Sequence, residues 1–330
     1  MSATRSWVWM AGMTLMLVVG GLAALLIGGE LVVRAAVYLA NRLRISPLIV
    51  GAVIIGLGTS LPEVVVCIDA VLGGSPGLAV GNVIGSNIAN LLLVAGLSAV
   101  LSPLTTGGRD VGRNLVVLAI ATVLFAAIGF SGQLTFWMAV VLLIVFLSYL
   151  LLSVWSSRDS GLDRRPVGGG SGDVATIGPV RLNAAGAIAI AILGLLGVGV
   201  GADMLVEGAI ELAAHIGVPQ EIIGLTVIAI GTSLPEIATS LVAAYRRQQE
   251  LALGNILGSS AFNLTGLAGV TGLFAPLPFS SRLLGFDLWV LLGATGLFVV
   301  IVLTHRRISR VEGGVLAVGY CAYGAVQFLF

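Results

Sequence analysis

Apolar runs long enough to cross a bilayer recur ten times in this chain. They lie at roughly 8–38, 47–73, 79–101, 114–130, 134–155, 180–214, 219–245, 251–274, 285–304 and 312–329. A transmembrane helix needs about 20 predominantly apolar residues, so each run predicts one helix, with the second and seventh interrupted. The first run is too long, and continues too smoothly into the chain, to read as a cleaved signal peptide. The expected fold is an all-α membrane protein of ten transmembrane helices. Composition removes the alternative of a soluble helical protein, because 58% of the 330 residues are hydrophobic and 9% are charged, against roughly 25% charged in an ordinary soluble domain. The 46 glycines agree, since glycine is commoner in membrane helices than in soluble ones.

Charge adds topology. All sixteen basic residues are arginine, and thirteen of them fall in the connections after odd-numbered runs: Arg42 and Arg44; Arg109 and Arg113; Arg158, Arg164, Arg165 and Arg181; Arg246 and Arg247; Arg306, Arg307 and Arg310. Arg5 and Arg282 lie on the other side, and Arg34 near a helix end. Cytoplasmic loops carry the arginine excess, so both termini are expected outside. The arginines are topology signals and do not point to nucleic acid. Cys67 and Cys321 lie in apolar runs and read as buried structural residues, with no disulfide or metal framework.

The only long hydrophilic stretch, residues 156–179, is rich in Gly, Ser and Asp and reads as a flexible cytoplasmic linker. It divides the chain into an N-terminal half (1–155) and a C-terminal half (180–330). Shifting the sequence by 173 residues superposes the two. GTSLPE at 58–63 meets GTSLPE at 231–236, GNVIGSNIAN at 81–90 meets GNILGSSAFN at 254–263, and Pro103 meets Pro276. Five spans per half is an odd number, so the duplicated halves are expected in opposite orientations, as two inverted five-helix repeats.

In GTSLPE, Pro62 lacks an N–H and its ring clashes with the preceding turn, so the helix breaks there. Gly58 loosens the backbone from the other side. Carbonyls freed near Thr59 need partners that lipid cannot offer; a cation or a neighbouring hydroxyl can serve. Glu63 follows at once, and Thr232, Pro235 and Glu236 repeat the arrangement. A plain proline kink explains one copy, but not two copies that each carry a glutamate. An ionised acid at mid-membrane costs about 2.5–3.5 kcal/mol on insertion scales, and no basic residue lies within 47–101 or 219–245. A bound cation or a proton is the expected neutraliser. Carboxylates with hydroxyl and carbonyl oxygens form a hard site that suits Ca²⁺ and also Na⁺.

The second block adds neutral oxygens. Ser86 and Asn90 are spaced i, i+4 and share a helix face, as do Ser259 and Asn263; interhelical hydrogen bonding is the alternative role for the asparagines. Gly81 with Gly85, and Gly254 with Gly258, permit close helix approach. Asn82, Asn87, Asn255 and Ser260 fall off the Ser/Asn face and read as packing residues. Glu30 and Arg34 are expected to pair. Asp203, Glu207 and Glu211 read as a solvated helix end, with cation enrichment at an outer entrance as the alternative.

GTSLPE followed by GN-x-x-GS-x-x-x-N, present twice, resembles the α-repeats of the Ca²⁺/cation antiporter superfamily. The chain is most similar to its prokaryotic sodium/calcium exchanger branch, strongly over 45–103 and 218–276. The resemblance implies that Glu63 and Glu236 are the central Ca²⁺ and Na⁺ ligands, joined at the Ca²⁺ position by the Thr59 and Thr232 carbonyls. It implies one flanking Na⁺ position from Ser60, Ser86 and the Gly56 carbonyl, and another from Ser233, Ser259 and the Ala229 carbonyl. Asn90 and Asn263 would line the middle. Some relatives have Asp where this chain has Asn263, which argues here for two ionisable ligands and potassium independence. The GTSLPE context favours sodium coupling. The implied activity is secondary active Na⁺/Ca²⁺ antiport by alternating access, with Ca²⁺ extrusion. An H⁺/Ca²⁺ antiporter using the same glutamates and a passive cation channel are the rivals. No enzymatic activity, cofactor, nucleic acid or obligatory protein partner is expected; the partners are the transported ions and the bilayer.

Overall fold

The computed structural model describes residues 2–106, 109–160, 176–177, 180–181, 183–215 and 229–327. Seven helices are long and apolar enough to cross a membrane, and the bent pair Pro47–Thr59 and Leu61–Leu72 makes an eighth. In chain order the helices are α1 (Ser2–Leu43), α2 (Pro47–Thr59), α3 (Leu61–Leu72), α4 (Pro76–Leu101), α5 (Arg109–Phe130) and α6 (Phe136–Ser160). There follow α7 (Ala184–His215), the short α8 (Ala229–Gly231), α9 (Leu234–Tyr245), α10 (Gln249–Phe274), α11 (Leu283–His305) and α12 (Arg310–Gln327).

Parts of the expected pattern fall outside the described residues. The tenth run is helical over Arg310–Gln327, and residues 328–330 lie outside the described set. The first part of the seventh run, 219–228, lies outside the described residues. At the ends of the expected linker, α6 continues through Ser160, and Thr176–Ile177 pairs with Val180–Arg181 in a short antiparallel ladder. Residues 161–175 lie outside the described set. Cys67 is buried as expected, whereas Cys321 is exposed, because it sits on the peripheral α12.

Prolines set the helix starts. Pro47, Pro62, Pro76 and Pro235 each occupy the first or second position of a helix, where a missing N–H costs nothing. The burial pattern is that of a protein in lipid. Large apolar side chains such as Leu15, Met16, Trp137, Leu151, Trp155 and Val311 face outward, while Leu48, Ile84, Ile88, Phe125 and Phe298 fill the interior. The central helices are α4 and α10, whose apolar windows are 78% and 83% buried, against 28% for α6 and for α7.

The duplicated sequence is segmented identically. Helix α4 has a widened π-helical stretch at Ala89–Val94, and α10 has one at Phe262–Leu267, 173 residues later. Contacts between the halves are reciprocal. A Cβ on Gly21 would meet the Gly201 carbonyl and one on Gly28 the Gly194 carbonyl, and the shift converts each pair into the other. The two-residue strands follow suit: Leu104–Thr105 pairs with Arg307–Ile308, and Gln133–Leu134 with Leu277–Pro278. Thr122 and Thr295, equivalent positions, touch each other through their hydroxyls at 3.4 Å.

Two ties bear on the centre. Glu30 pairs with Arg34 as expected, at 2.5 Å, and also with Arg246 at the end of α9, at 2.5 Å. Between α2 and α10 the backbones touch through glycines. A Cβ on Gly254 would overlap the Leu48 backbone, and one on Gly258 the Ala52 backbone. A Gly258→Val substitution is therefore expected to destabilise the detergent-solubilised protein by about 1–3 kcal/mol through overpacking. Gly293→Val, on an exposed face of α11 with nothing described within 4 Å, is expected to stay within about 0.5 kcal/mol of the parent. Thermal unfolding of the two variants checks both.

Candidate cation site

The broken helices meet between α4 and α10. Ser60 leaves helical geometry with φ −87° and ψ 7°, and Ser233 does the same with φ −90° and ψ 2°. Each break is followed within two residues by a proline, and α2 and α3 meet at a 40° bend. Glu63 and Glu236 thereby fall in the first turn of α3 and of α9, where the positive end of the helix dipole favours a carboxylate. Both glutamates are 0% exposed. Among the described residues no basic side chain pairs with either, although the two carboxylates lie within electrostatic reach of each other.

The hydroxyls cross between halves. Ser60 Oγ donates to Glu236 Oε1 at 2.7 Å. Ser259 Oγ donates to the Gly56 carbonyl at 3.2 Å, and Asn263 Nδ2 donates to Ser86 Oγ at 3.0 Å. The Gly56 carbonyl, expected to group with Ser60 and Ser86, also accepts from Ser259 of the other half. The glycine contacts of α2 on α10 bring Gly56 against Ser259, so its carbonyl is shared with a hydroxyl of the other half. Asn90 and Asn263 each lie within a π-helical stretch, a feature that often marks functional positions in helices. Thr59, Ser60, Ser86, Asn90, Ser233, Ser259 and Asn263 are all buried. Thr232 is half-buried, and Ala229 opens α8, with its side chain outside the described set.

The decisive observation concerns the oxygens left over. Glu63 Oε1 and Oε2, Glu236 Oε2, Ser233 Oγ, Asn90 Oδ1 and Asn263 Oδ1 are buried without a hydrogen-bond partner among the described residues. Buried polar atoms are nearly always partnered, and these six oxygens on the breaks and the two central helices, with Asn87 Oδ1, Ser98 Oγ and Ser260 Oγ on the same helices, form an acceptor-rich set. Hard cations that take six to eight oxygens match that chemistry.

Sequence reading missed two side chains. Asn255 and Asn82, read as packing residues, hydrogen-bond across the halves: Thr59 Oγ1 donates to Asn255 Oδ1 at 3.3 Å, and Thr232 Oγ1 to Asn82 Oδ1 at 3.4 Å. The signal was present, because both Thr and both Asn recur at the same offset. Outside the centre, Asp203 and Glu207 are exposed, and Glu211 accepts a hydrogen bond from Thr14.

The chain matches known proteins over most of its length. The family model described as "Sodium/calcium exchanger protein" matches residues 13–155 and 186–329. CaxA of Alkalimonas amylolytica is 34% identical over 93% of this chain and 96% of its own length. The sodium/calcium exchanger MaX1 of Methanosarcina acetivorans is 28% identical, covering 93% of this chain and 96% of its own. A solved structure of the sodium-calcium exchanger NCX_Mj, soaked with 10 mM Na⁺ and zero Ca²⁺, superposes with a TM-score of 0.80 at 30% identity. The match covers 95% of this chain and 98% of that one. With its duplicated broken helices, buried glutamates and full-length match, the chain is a membrane antiporter belonging to the sodium/calcium exchanger family.

Proposed function

We propose that this protein exchanges Na⁺ for Ca²⁺ across a prokaryotic inner membrane and that it works as a Ca²⁺ extruder. The observation that carries the reading is the set of buried, unpartnered oxygens that includes those of two glutamates which no basic side chain among the described residues neutralises. Glu63 and Glu236 are the central ligands. The carbonyls of Thr59 and Thr232 complete the Ca²⁺ position, the serines Ser60, Ser86, Ser233 and Ser259 with the Gly56 and Ala229 carbonyls supply flanking Na⁺ positions, and Asn90 and Asn263 line the middle. The names of the relatives MaX1 and NCX_Mj support sodium and calcium as the ion pair.

Ten spans in two inverted repeats, with both termini outside, supply the alternating-access geometry. The reciprocal contacts of Gly21 with Gly201 and of Gly28 with Gly194 support the two-fold, and the arginine distribution supports the orientation. Two carboxylates balance one Ca²⁺, whereas more than two Na⁺ leave a net positive charge. Each surplus charge crossing is worth about 2.3 kcal/mol per 100 mV, so an inside-negative potential assists extrusion.

In vesicles, radiolabelled Ca²⁺ uptake is expected to follow an opposing Na⁺ gradient. Glu63→Gln and Glu236→Gln are each expected to lower it about a hundredfold, the scale of losing a charged ligand in a buried site. Uptake that ignores the Na⁺ gradient but follows a pH gradient would transfer the same glutamates to proton exchange. Flux that never moves one ion against its gradient would make the protein a channel.

Ser60 gives a second test. Its hydroxyl is the described donor to Glu236, so Ser60→Ala leaves a buried carboxylate oxygen bare and is expected to cost about 1–3 kcal/mol. Saturating Ca²⁺ should restore part of that loss, because the cation satisfies the same oxygen. Melting curves with and without Ca²⁺ read the difference.

A further inference from the structure

Asn255 and Asn82 hold the strongest unassigned chemistry near the site. Asn255 is 1% exposed and its polar atoms are all engaged. Its Nδ2 donates to Ser240 Oγ at 2.8 Å, to Thr239 Oγ1 at 3.0 Å and to the Glu236 carbonyl at 3.4 Å. Its Oδ1 receives the Thr59 hydroxyl. One side chain thus ties the last residue of α2 to the helix that carries Glu236. The same tie recurs with the halves exchanged: Asn82 Oδ1 receives the Thr232 hydroxyl, and Asn82 Nδ2 donates to Cys67 Sγ at 3.2 Å, on the helix that carries Glu63.

We propose that Asn255 and Asn82 are positioning residues that set the width of the cation site, and hence its discrimination by ionic size. The inference rests on the exchange reading above, in which Thr59 and Thr232 present their carbonyls to Ca²⁺. Neither asparagine touches the cation. Each fixes the spacing between a break in one half and a carboxylate of the other, the dimension along which a larger ion must push. A carboxylate and a carbonyl on separate half-helices can part unless something spans them, and the amide is rigid, planar and able to donate and accept at once.

The two clamps are unequal. Where Asn255 finds the Ser240 hydroxyl, Asn82 finds the Cys67 thiol, a weaker acceptor at a longer distance. The Asn255 clamp is the stiffer one and contributes more of the discrimination.

The test compares Ca²⁺ and Sr²⁺ uptake by vesicles under one Na⁺ gradient. Asn255→Ala is expected to raise the half-saturating Ca²⁺ about tenfold, the scale of a lost buried hydrogen-bond network. Because the wider site penalises the larger ion less, the Sr²⁺ to Ca²⁺ preference should rise several-fold. Asn82→Ala should move it in the same direction by less, and Cys67→Ser, which supplies a better acceptor, should move it toward Ca²⁺. Ser240→Ala leaves Asn255 in place and removes one acceptor; it serves if Asn255→Ala does not fold, with an expected shift of about threefold. Equal losses for Ca²⁺ and Sr²⁺ in the asparagine and Ser240 variants would overturn the proposal and leave a purely structural role. Wild-type vesicles that take up neither cation against the Na⁺ gradient would instead overturn the exchange reading itself.

Discussion

A carboxylate buried without an arginine is the constraint on which this molecule turns. Glu63 and Glu236 are both fully buried at the helix breaks, and the charge each would bear is expensive in a low-dielectric interior. Helix dipoles and one serine hydroxyl soften that cost without removing it. An arginine would remove it and would also end any use of the site for cations. Among the described residues no arginine pairs with either glutamate, and Arg246, at the end of α9, spends its charge on Glu30.

The remaining architecture arranges neutral oxygen around that unmet charge. Two helices, α4 and α10, are buried nearly throughout and present Ser86, Asn90, Ser259 and Asn263 from within. Helix α10 passes so close to α2 because glycines stand at the contact, Gly254 against Leu48 and Gly258 against Ala52, whereas a Cβ on Gly81 or Gly85 of α4 would meet no described atom within 4 Å. Small residues at helix interfaces let backbones meet and polar groups pair across helices, the main sources of cohesion where the surroundings are as apolar as the side chains. Packing and ligand placement are therefore one problem here.

Much of this was legible in the sequence for a local reason. Proline, glycine and an acidic residue act on the backbone within a turn, so GTSLPE announced both breaks and both carboxylates before any packing was known. The 173-residue offset foretold the matched segmentation of α4 and α10. What stayed hidden depends on which helix lies against which. Spacing put Ser86 and Asn90 on one face, but only the seating of α2 on α10 decides that Gly56 meets Ser259 and that Asn263 reaches Ser86. The same limit hid the bonds of Asn82 and Asn255, whose partners lie in the opposite half. Helix propensity carried α6 through Ser160 into a stretch whose composition reads as linker.

The exchanged contacts have a consequence for how the chain is made. Neither half is a unit that closes on itself: Gly21 and Gly28 of α1 are fitted by α7, and the hydroxyls of Thr59 and Ser60 end on Asn255 and Glu236. During synthesis the N-terminal half enters the bilayer first and must wait there with these surfaces bare. Its assembly is thus a docking of two inserted bundles and not the sequential completion of two domains. Misdocking with the corresponding surface of another copy is the hazard that duplication brings, and the tether between the halves counters it by keeping the correct partner at high local concentration.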